Sequence, residues 1–272
     1  MVGVVQVCNE ESTEKGGIKM SELEVFKQAD WVEPHNRFVF WSGGKDSTVA
    51  LHLALRAWRD LNPRVVFVDT EITLPETLEY VERLTEEWHL NLTVLKPTID
   101  FWDYVAKNGF PLRMALWCRG LLKMQPIKKF MKAHPGWKVQ VLGIRKNESV
   151  ARQKSTFYRK SFVRCDRISF TYELNPILEW SDKQVNEYIN QVQIPVNPAY
   201  SIYGRSGCYY CPFVCNRNYY LKLKRLHPEL FGKIVEAETV MRKGHASLYS
   251  NHPIYMKEIG KQEFLEVENH GK

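Results

Sequence analysis

Phe38-Val39-Phe40-Trp41-Ser42-Gly43-Gly44-Lys45-Asp46-Ser47 reads as a short buried strand, a glycine loop and the first turn of a helix. The helix continues through the apolar positions Val49, Leu51, Leu53, Ala54, Leu55 and Trp58. A loop in that setting aims successive backbone N–H groups and a helix N-terminus at an anion, above all a phosphate. Gly43 and Gly44 let the backbone approach without a Cβ in the way, Lys45 adds a cation, and Ser42 and Ser47 offer hydroxyls. Asp46 is the odd member. A carboxylate beside a phosphate needs a reason, and holding Mg²⁺ or accepting from loop N–H groups supplies one. The spacing is not that of the Walker A loop, whose glycines stand further apart.

Outward from this loop the alternation of strand and helix persists. Val65-Val66-Phe67-Val68 predicts a second strand ending at Asp69-Thr70, residues 75–89 a helix, and 92–95 a third strand. Further on, 123–134 predicts a helix, 138–143 a strand ending near Arg145, 168–172 another strand, and 181–191 a helix with Ser181 as N-cap. That rhythm predicts an α/β fold with a parallel sheet covered by helices on both faces. Gly143 and Arg145 then share the sheet edge with the glycine loop and Asp69, where open α/β sheets bind ligands. Arg145, Arg152 and Lys154 offer donors to phosphate or sulfate oxygens.

Residues 1–30 read as a loose leader, with Met20 an alternative start, 31–200 as the nucleotide-binding α/β domain, and 201–272 as a cysteine-bearing helical region. With 38 Lys+Arg against 31 Asp+Glu the net charge is +7, which favours an anionic partner, a phosphorylated small molecule or nucleic acid. At 272 residues and 44% hydrophobic content the chain is long enough for a sizeable core and is neither disordered nor fibrous. No apolar run approaches a membrane span, so the expectation is a cytoplasmic protein with no membrane partner.

Three of the six cysteines, Cys208, Cys211 and Cys215, fall in one C-x2-C-x3-C run. In a cytoplasmic protein such spacing reads as metal ligation or redox chemistry before disulfides. Four thiolates suit zinc or an iron–sulfur cluster alike, and the ligands alone do not distinguish them.

Residues 42–47 resemble the PP-loop of the adenine nucleotide alpha-hydrolase superfamily. Later segments narrow the likeness to the phosphoadenosine phosphosulfate (PAPS) reductase family. They are Asp69-Thr70 with Leu74-Pro75-Glu76-Thr77, Gly143-Ile144-Arg145 with Glu148-Ser149 and Arg152, Asn175-Pro176-Ile177 with Trp180, and Asn197-Pro198-Ala199-Tyr200. The resemblance implies a nucleotide held by Ser42, Gly43, Gly44, Lys45, Asp46, Ser47, Asp69, Gly143, Arg145 and Arg152, with Lys45, Asp46 and Arg145 closest to the chemistry. It also implies Cys118 as a fourth cluster ligand, since Trp117-Cys118-Arg119-Gly120 is similar to the segment that supplies cluster cysteines in adenylyl-sulfate reductases. Those proteins carry a Cys-Cys pair there, and Cys215 would replace the missing member around a 4Fe–4S centre.

Three functions follow as expectations. A sulfurtransferase-like enzyme would bind ATP with Mg²⁺, release pyrophosphate by attack at the α-phosphate and pass sulfur to the adenylated acceptor, with nucleic acid an acceptor the basic charge suits. That reading would draw on a sulfur donor protein, and Tyr209, Tyr210, Tyr219 and Tyr220 would either stack bases, if exposed, or pack the cysteine centre against the core. A true reductase would cleave PAPS or adenylyl sulfate to sulfite with thioredoxin. The family's tail cysteine has no counterpart after Cys215, so Cys8 or Cys165 would have to act. The third is a zinc-stapled nucleic-acid-binding module without catalysis.

Overall fold

The computed structural model describes residues 20–149, 152–160, 171–214 and 216–244. Among the described residues six strands form one sheet: β1 (Arg37–Trp41), β2 (Arg64–Val68), β3 (Asn91–Leu95), β4 (Lys138–Val141), β5 (Tyr158–Lys160) and β6 (Thr171–Leu174). Their order is β3-β2-β1-β4-β6-β5, with β5 antiparallel at one edge and the other five parallel. The chain travels outward from β1 to β3, then returns to lay β4 against the other side of β1. The loops after β1 and β4 therefore diverge from one point, and there an open α/β sheet forms its ligand crevice.

The strands alternate with period two. Val39 and Trp41 of β1 and Val65 and Phe67 of β2 face one core, while Phe38 and Val66 face the other with Phe130 and Met131. The first core is closed by α1 (Met20–Lys27), α2 (Lys45–Ala57), α3 (Pro75–Glu87) and α6 (Asp182–Gln191). The second is closed by α5 (Gln125–Ala133). Burying each such side chain contributes roughly 1.5–3 kcal/mol. A third core gathers α4 (Phe101–Asn108), α7 (Ala199–Tyr203), α8 (Arg217–Leu226) and α9 (Pro228–Gly244) around the cysteine-bearing loop. Ser181 caps α6, its hydroxyl accepting from Gln184 N–H at 3.3 Å while Gln184 Oε1 accepts from Ser181 N–H at 2.9 Å.

Three local expectations change. Val25, Phe26 and Ala29 are buried in the first core, so the packed domain begins before residue 31. The predicted helix over 123–134 is a π-type turn over Arg119–Met124 running into α5. The strand expected at 168–172 lies over Thr171–Leu174 in the structure, its earlier residues falling outside those described.

His52 of α2 sits against Trp88 and shares a 2.8 Å hydrogen bond with Tyr188 of α6. Burial, aided by Arg56, lowers its pKa to about 4 from 6.5. The folded state therefore holds the neutral ring, and stability present above pH 6.5 falls as the unfolded chain takes up a proton between pH 6.5 and 4. The full loss is at most about 3 kcal/mol, from 1.36 kcal/mol per pKa unit. Urea unfolding at stepped pH should show this slope, and His52→Gln should flatten it; an unchanged slope would place the acid sensitivity elsewhere.

Candidate functional site

The chain leaves β1 at Trp41 and turns on Gly43, whose φ of +71° is left-handed and whose added Cβ would lie 2.9 Å from Thr77 Cγ2. Glycine answers both demands at once. Ser47 Oγ donates to Gly44 O at 2.9 Å and accepts from Ser42 N–H at 3.2 Å, with the Ser42 hydroxyl 2.9 Å away. Thr48 anchors the same carbonyl through its N–H and hydroxyl, both at 2.9 Å, and its hydroxyl accepts from Trp41 Nε1. The turn is thus fixed by its own side chains before any ligand arrives.

A second segment straps the loop from outside. Asn197 Nδ2 donates to Gly43 O at 2.9 Å and to Thr77 Oγ1 at 3.1 Å, while its Oδ1 accepts from Ala199 N–H. Tyr200 places its ring 5.0 Å from Lys45 Nζ and its hydroxyl 3.3 Å from Lys45 N–H. Tyr200 thus gathers the Lys45 ammonium and the Lys45 N–H, which donates to its hydroxyl, at the N-terminus of α2, the end of a helix that favours an anion. Asn197 and Tyr200 were absent from the expected site residues; the Asn-Pro-Ala-Tyr string was their only sequence signal.

On the β4 side, Gly143 is pressed against α2: an added Cβ would lie 2.6 Å from Asp46 C and O and from Ser47 Cα. Two residues later Arg145, 6% exposed, turns inward. Its Nε lies 2.9 Å from Asp46 Oδ1, and its Nη2 donates to Asp46 Oδ2 at 3.3 Å and Asp182 Oδ1 at 2.7 Å. Burial works against the Arg145 charge, but the two carboxylates outweigh it and raise its pKa. Burial also raises the Asp46 pKa, against the opposing pull of Arg145. Arg152 pairs with Glu148, which also accepts from Arg145 N–H at 3.0 Å. Both arginines expected to face a ligand thus engage carboxylates of this chain, and Asp182, whose only sequence signal was the Trp180-Ser181-Asp182 string after Asn175-Pro176-Ile177, joins the site.

Asp69, at the end of β2, accepts from Glu71 N–H at 2.9 Å and so closes the turn in which Glu71 has φ +62°. Its other oxygen is 3.9 Å from Lys96. That turn carries the cysteine loop. Thr73 pairs with Cys208 in an isolated antiparallel bridge, Leu74 N–H donates to Gly207 O at 2.7 Å, and Tyr209 N–H to Ile72 O at 2.8 Å. Cys208 Sγ consequently lies 3.3 Å from Thr70 Oγ1, at the sheet edge where the phosphate loop opens.

Cys118, Cys208 and Cys211 are free, half-buried thiols. Burial pushes the Cys118 thiol up, with Cys208 and then Cys211 adding to the effect, so the three lie within electrostatic reach of one another. Tyr209, Tyr210, Tyr219 and Tyr220 are each buried in the surrounding core. Of the two roles open to them, base stacking or packing, they take the second and wall the cysteines, and Tyr219 Oη donates to the carbonyls of Cys208 and Tyr209. Among the described residues no three His, Cys, Asp or Glu side chains are already disposed around a metal ion. Cys8, Cys165 and Cys215 lie outside the described residues. The donor chemistry, soft thiols in an apolar, aromatic wall, is of the kind that zinc or an iron–sulfur centre takes, while the three sulfurs are not gathered around one point.

The family profile for the phosphoadenosine phosphosulfate reductase domain matches residues 36–213. An uncharacterized protein of Methanocaldococcus jannaschii is 36% identical over 198 residues, covering 72% of this chain and 46% of that protein. The chain thus spans less than half the length of that relative. The phosphoadenosine 5'-phosphosulfate reductase of Xanthomonas euvesicatoria pv. vesicatoria is 27% identical over 173 residues, covering 61% of this chain and 66% of the enzyme. Among solved structures, phosphoadenylyl-sulfate reductase from Candida auris, a phosphate complex, superposes with a TM-score of 0.56 at 20% identity, covering 71% and 90% of the two chains. That likeness speaks to the fold. No helix of the described residues is long and apolar enough to cross a membrane.

Proposed function

The chain belongs to the phosphoadenosine phosphosulfate reductase domain family, and from that premise we propose that it is a PP-loop enzyme which binds ATP with Mg²⁺, releases pyrophosphate and thereby activates an acceptor for sulfur transfer. The observation that carries this reading is the pair of carboxylates around Arg145. Asp46 and Asp182 flank one guanidinium, so carboxylates stand beside a loop built for phosphate. A carboxylate so close to phosphate oxygens is repulsive unless a divalent cation accompanies it, and Asp46 would hold Mg²⁺ there, supplying charge neutralisation for the leaving pyrophosphate.

In this reading the N–H groups of residues 43–45 and the Lys45 ammonium hold the β- and γ-phosphates as the leaving group. An acceptor oxygen attacks the α-phosphorus, the bond to the bridging oxygen breaks, and its electron pair departs with pyrophosphate. Gly143 lets the Arg145 segment lie flat on α2, and Arg145 holds Asp46 at the mouth of the loop. Cys118, Cys208 and Cys211 would hold a 4Fe–4S cluster, with Cys215 as the fourth ligand and zinc as the alternative metal. Such a cluster would supply a soft, redox-active site for sulfur, next to the nucleotide edge through the Thr70–Cys208 contact.

The curated relatives named PAPS reductase favour a second reading, reduction of a sulfonucleotide to sulfite with thioredoxin. One anaerobic preparation separates the two. Magnesium-dependent pyrophosphate release from ATP, with water as default acceptor and no sulfite from PAPS or adenylyl sulfate, is the expected result. Sulfite at enzymatic rates without pyrophosphate would overturn it. A brown chromophore in that preparation marks the cluster, whereas a colourless, zinc-containing protein would reassign the metal.

A further inference from the structure

Charge is sorted along this chain in a way the net value hides. Residues 104–147 carry ten Lys or Arg and no Asp or Glu, and residues 188–228 carry five and none, in a protein with 31 carboxylate side chains. Those two stretches hold Cys118, Cys208 and Cys211, and the fold brings them together. Arg113 Nε donates to Pro212 O at 3.1 Å, and its guanidinium lies 6.0 Å from the Phe213 ring. Phe213 is 56% exposed and Met114, beside Arg113, is 98% exposed. Arg119 and Lys123 are exposed in the turn that follows Cys118. Arg205 stands on the other flank, its Nη2 3.6 Å from where a Cβ on Gly207 would lie. Carboxylates from neighbouring elements also reach this region: Asp100 and Glu229 act on the buried Tyr209, Glu238 on Tyr210, and Glu76 pairs with Tyr203 and His227.

We propose that this cysteine-bearing edge docks a single-stranded nucleic acid, which serves as the acceptor activated at the phosphate loop. The cations Arg113, Arg119, Lys123 and Arg205 set beside a bare aromatic ring are the argument for a polyanion over a protein. Protein partners are matched by mixed charges that fix register, whereas phosphates ask only for cations along their path. Phe213, backed by Arg113, offers an exposed ring face for an unpaired base, as single-strand binding surfaces do. The buried tyrosines cannot do this, so stacking falls to Phe213 and the apolar contact to Met114. This inference rests on the adenylation reading for its catalytic meaning, and binding is measured apart from pyrophosphate release.

The test uses the full chain, purified anaerobically, and fluorescence anisotropy with labelled uridylate and thymidylate strands of about 20 nucleotides and a matching duplex. Wild type should bind single strands more tightly than duplex. The double variant Arg113→Glu/Lys123→Glu should reduce the salt slope of log K by about 1.4, two contacts at roughly 0.7 each. Phe213→Ala should weaken binding about tenfold through lost stacking. Strand binding without pyrophosphate release upholds the surface while the adenylation reading fails; pyrophosphate release without strand binding does the reverse. Equal affinity for duplex, indifference to all three substitutions, or capture of an acidic thioredoxin-type protein by these residues in place of the strand overturns the proposal.

Discussion

Lys45→Ala should weaken binding of magnesium ATP about 10- to 150-fold while leaving the thermal midpoint almost unchanged. The range follows from about 1.5–3 kcal/mol for hydrogen bonds that carry a charge. Lys45 is the first residue of α2, and its ammonium is held over the Tyr200 ring at 5.0 Å, so it is steered toward the loop. Alanine retains the backbone N–H and the helix, which is why binding is reduced and not abolished. The side chain belongs to none of the three hydrophobic cores, which is why stability is spared. Isothermal titration with ATP and Mg²⁺, beside a melting curve, checks both halves. An affinity unmoved by the substitution would remove the phosphate loop from the site altogether.

The part of the fold read in advance is the part whose information is local. A four-residue apolar run before Ser-Gly-Gly and a helical pattern after it leave few alternatives to strand, loop and helix, and β1 and α2 lie there. α4 escaped because its buried face within the domain comes down to Phe101 and Val105, too little to show a period, although Asp100 caps it by accepting from Asp103 N–H at 2.8 Å. β5 escaped because three residues in a basic stretch carry no alternation; only pairing with β6 makes them a strand. At the site, residue types were legible and their partners were not. Arg145 and Asp46 are 99 residues apart, and whether that guanidinium faces a ligand or a carboxylate is decided where β4 comes to rest beside β1. The tyrosines of the cysteine run posed the same problem. Their spacing fits both a stacking surface and a core wall, and α8 and α9 close over them to make the second.

Gly143→Ala tests that long-range packing directly and should cost more than its single methyl suggests. The new Cβ would meet the backbone of Asp46 and Ser47 at 2.6 Å, and a helix N-terminus has no rotamer with which to retreat. Either the segment after β4 lifts from α2 or α2 itself shifts, at a cost of about 1–3 kcal/mol typical of overpacking. For a chain of this size that lowers the melting midpoint by roughly 2–10 °C. Function should suffer more than stability. Lifting the segment separates Arg145 from Asp46, now 2.9 Å apart, and leaves that carboxylate unpaired beside the phosphates, while any shift of α2 spoils the aim of the Lys45 N–H. ATP affinity should therefore fall at least as far as in Lys45→Ala. Gly120→Ala provides the control, since a Cβ there meets nothing within 4 Å, and it should leave nucleotide affinity unchanged. A Gly143→Ala protein that melts and binds like wild type would mean that β4 and its arginine do not press on the loop, and with that contact gone Arg145 would be returned to the ligand.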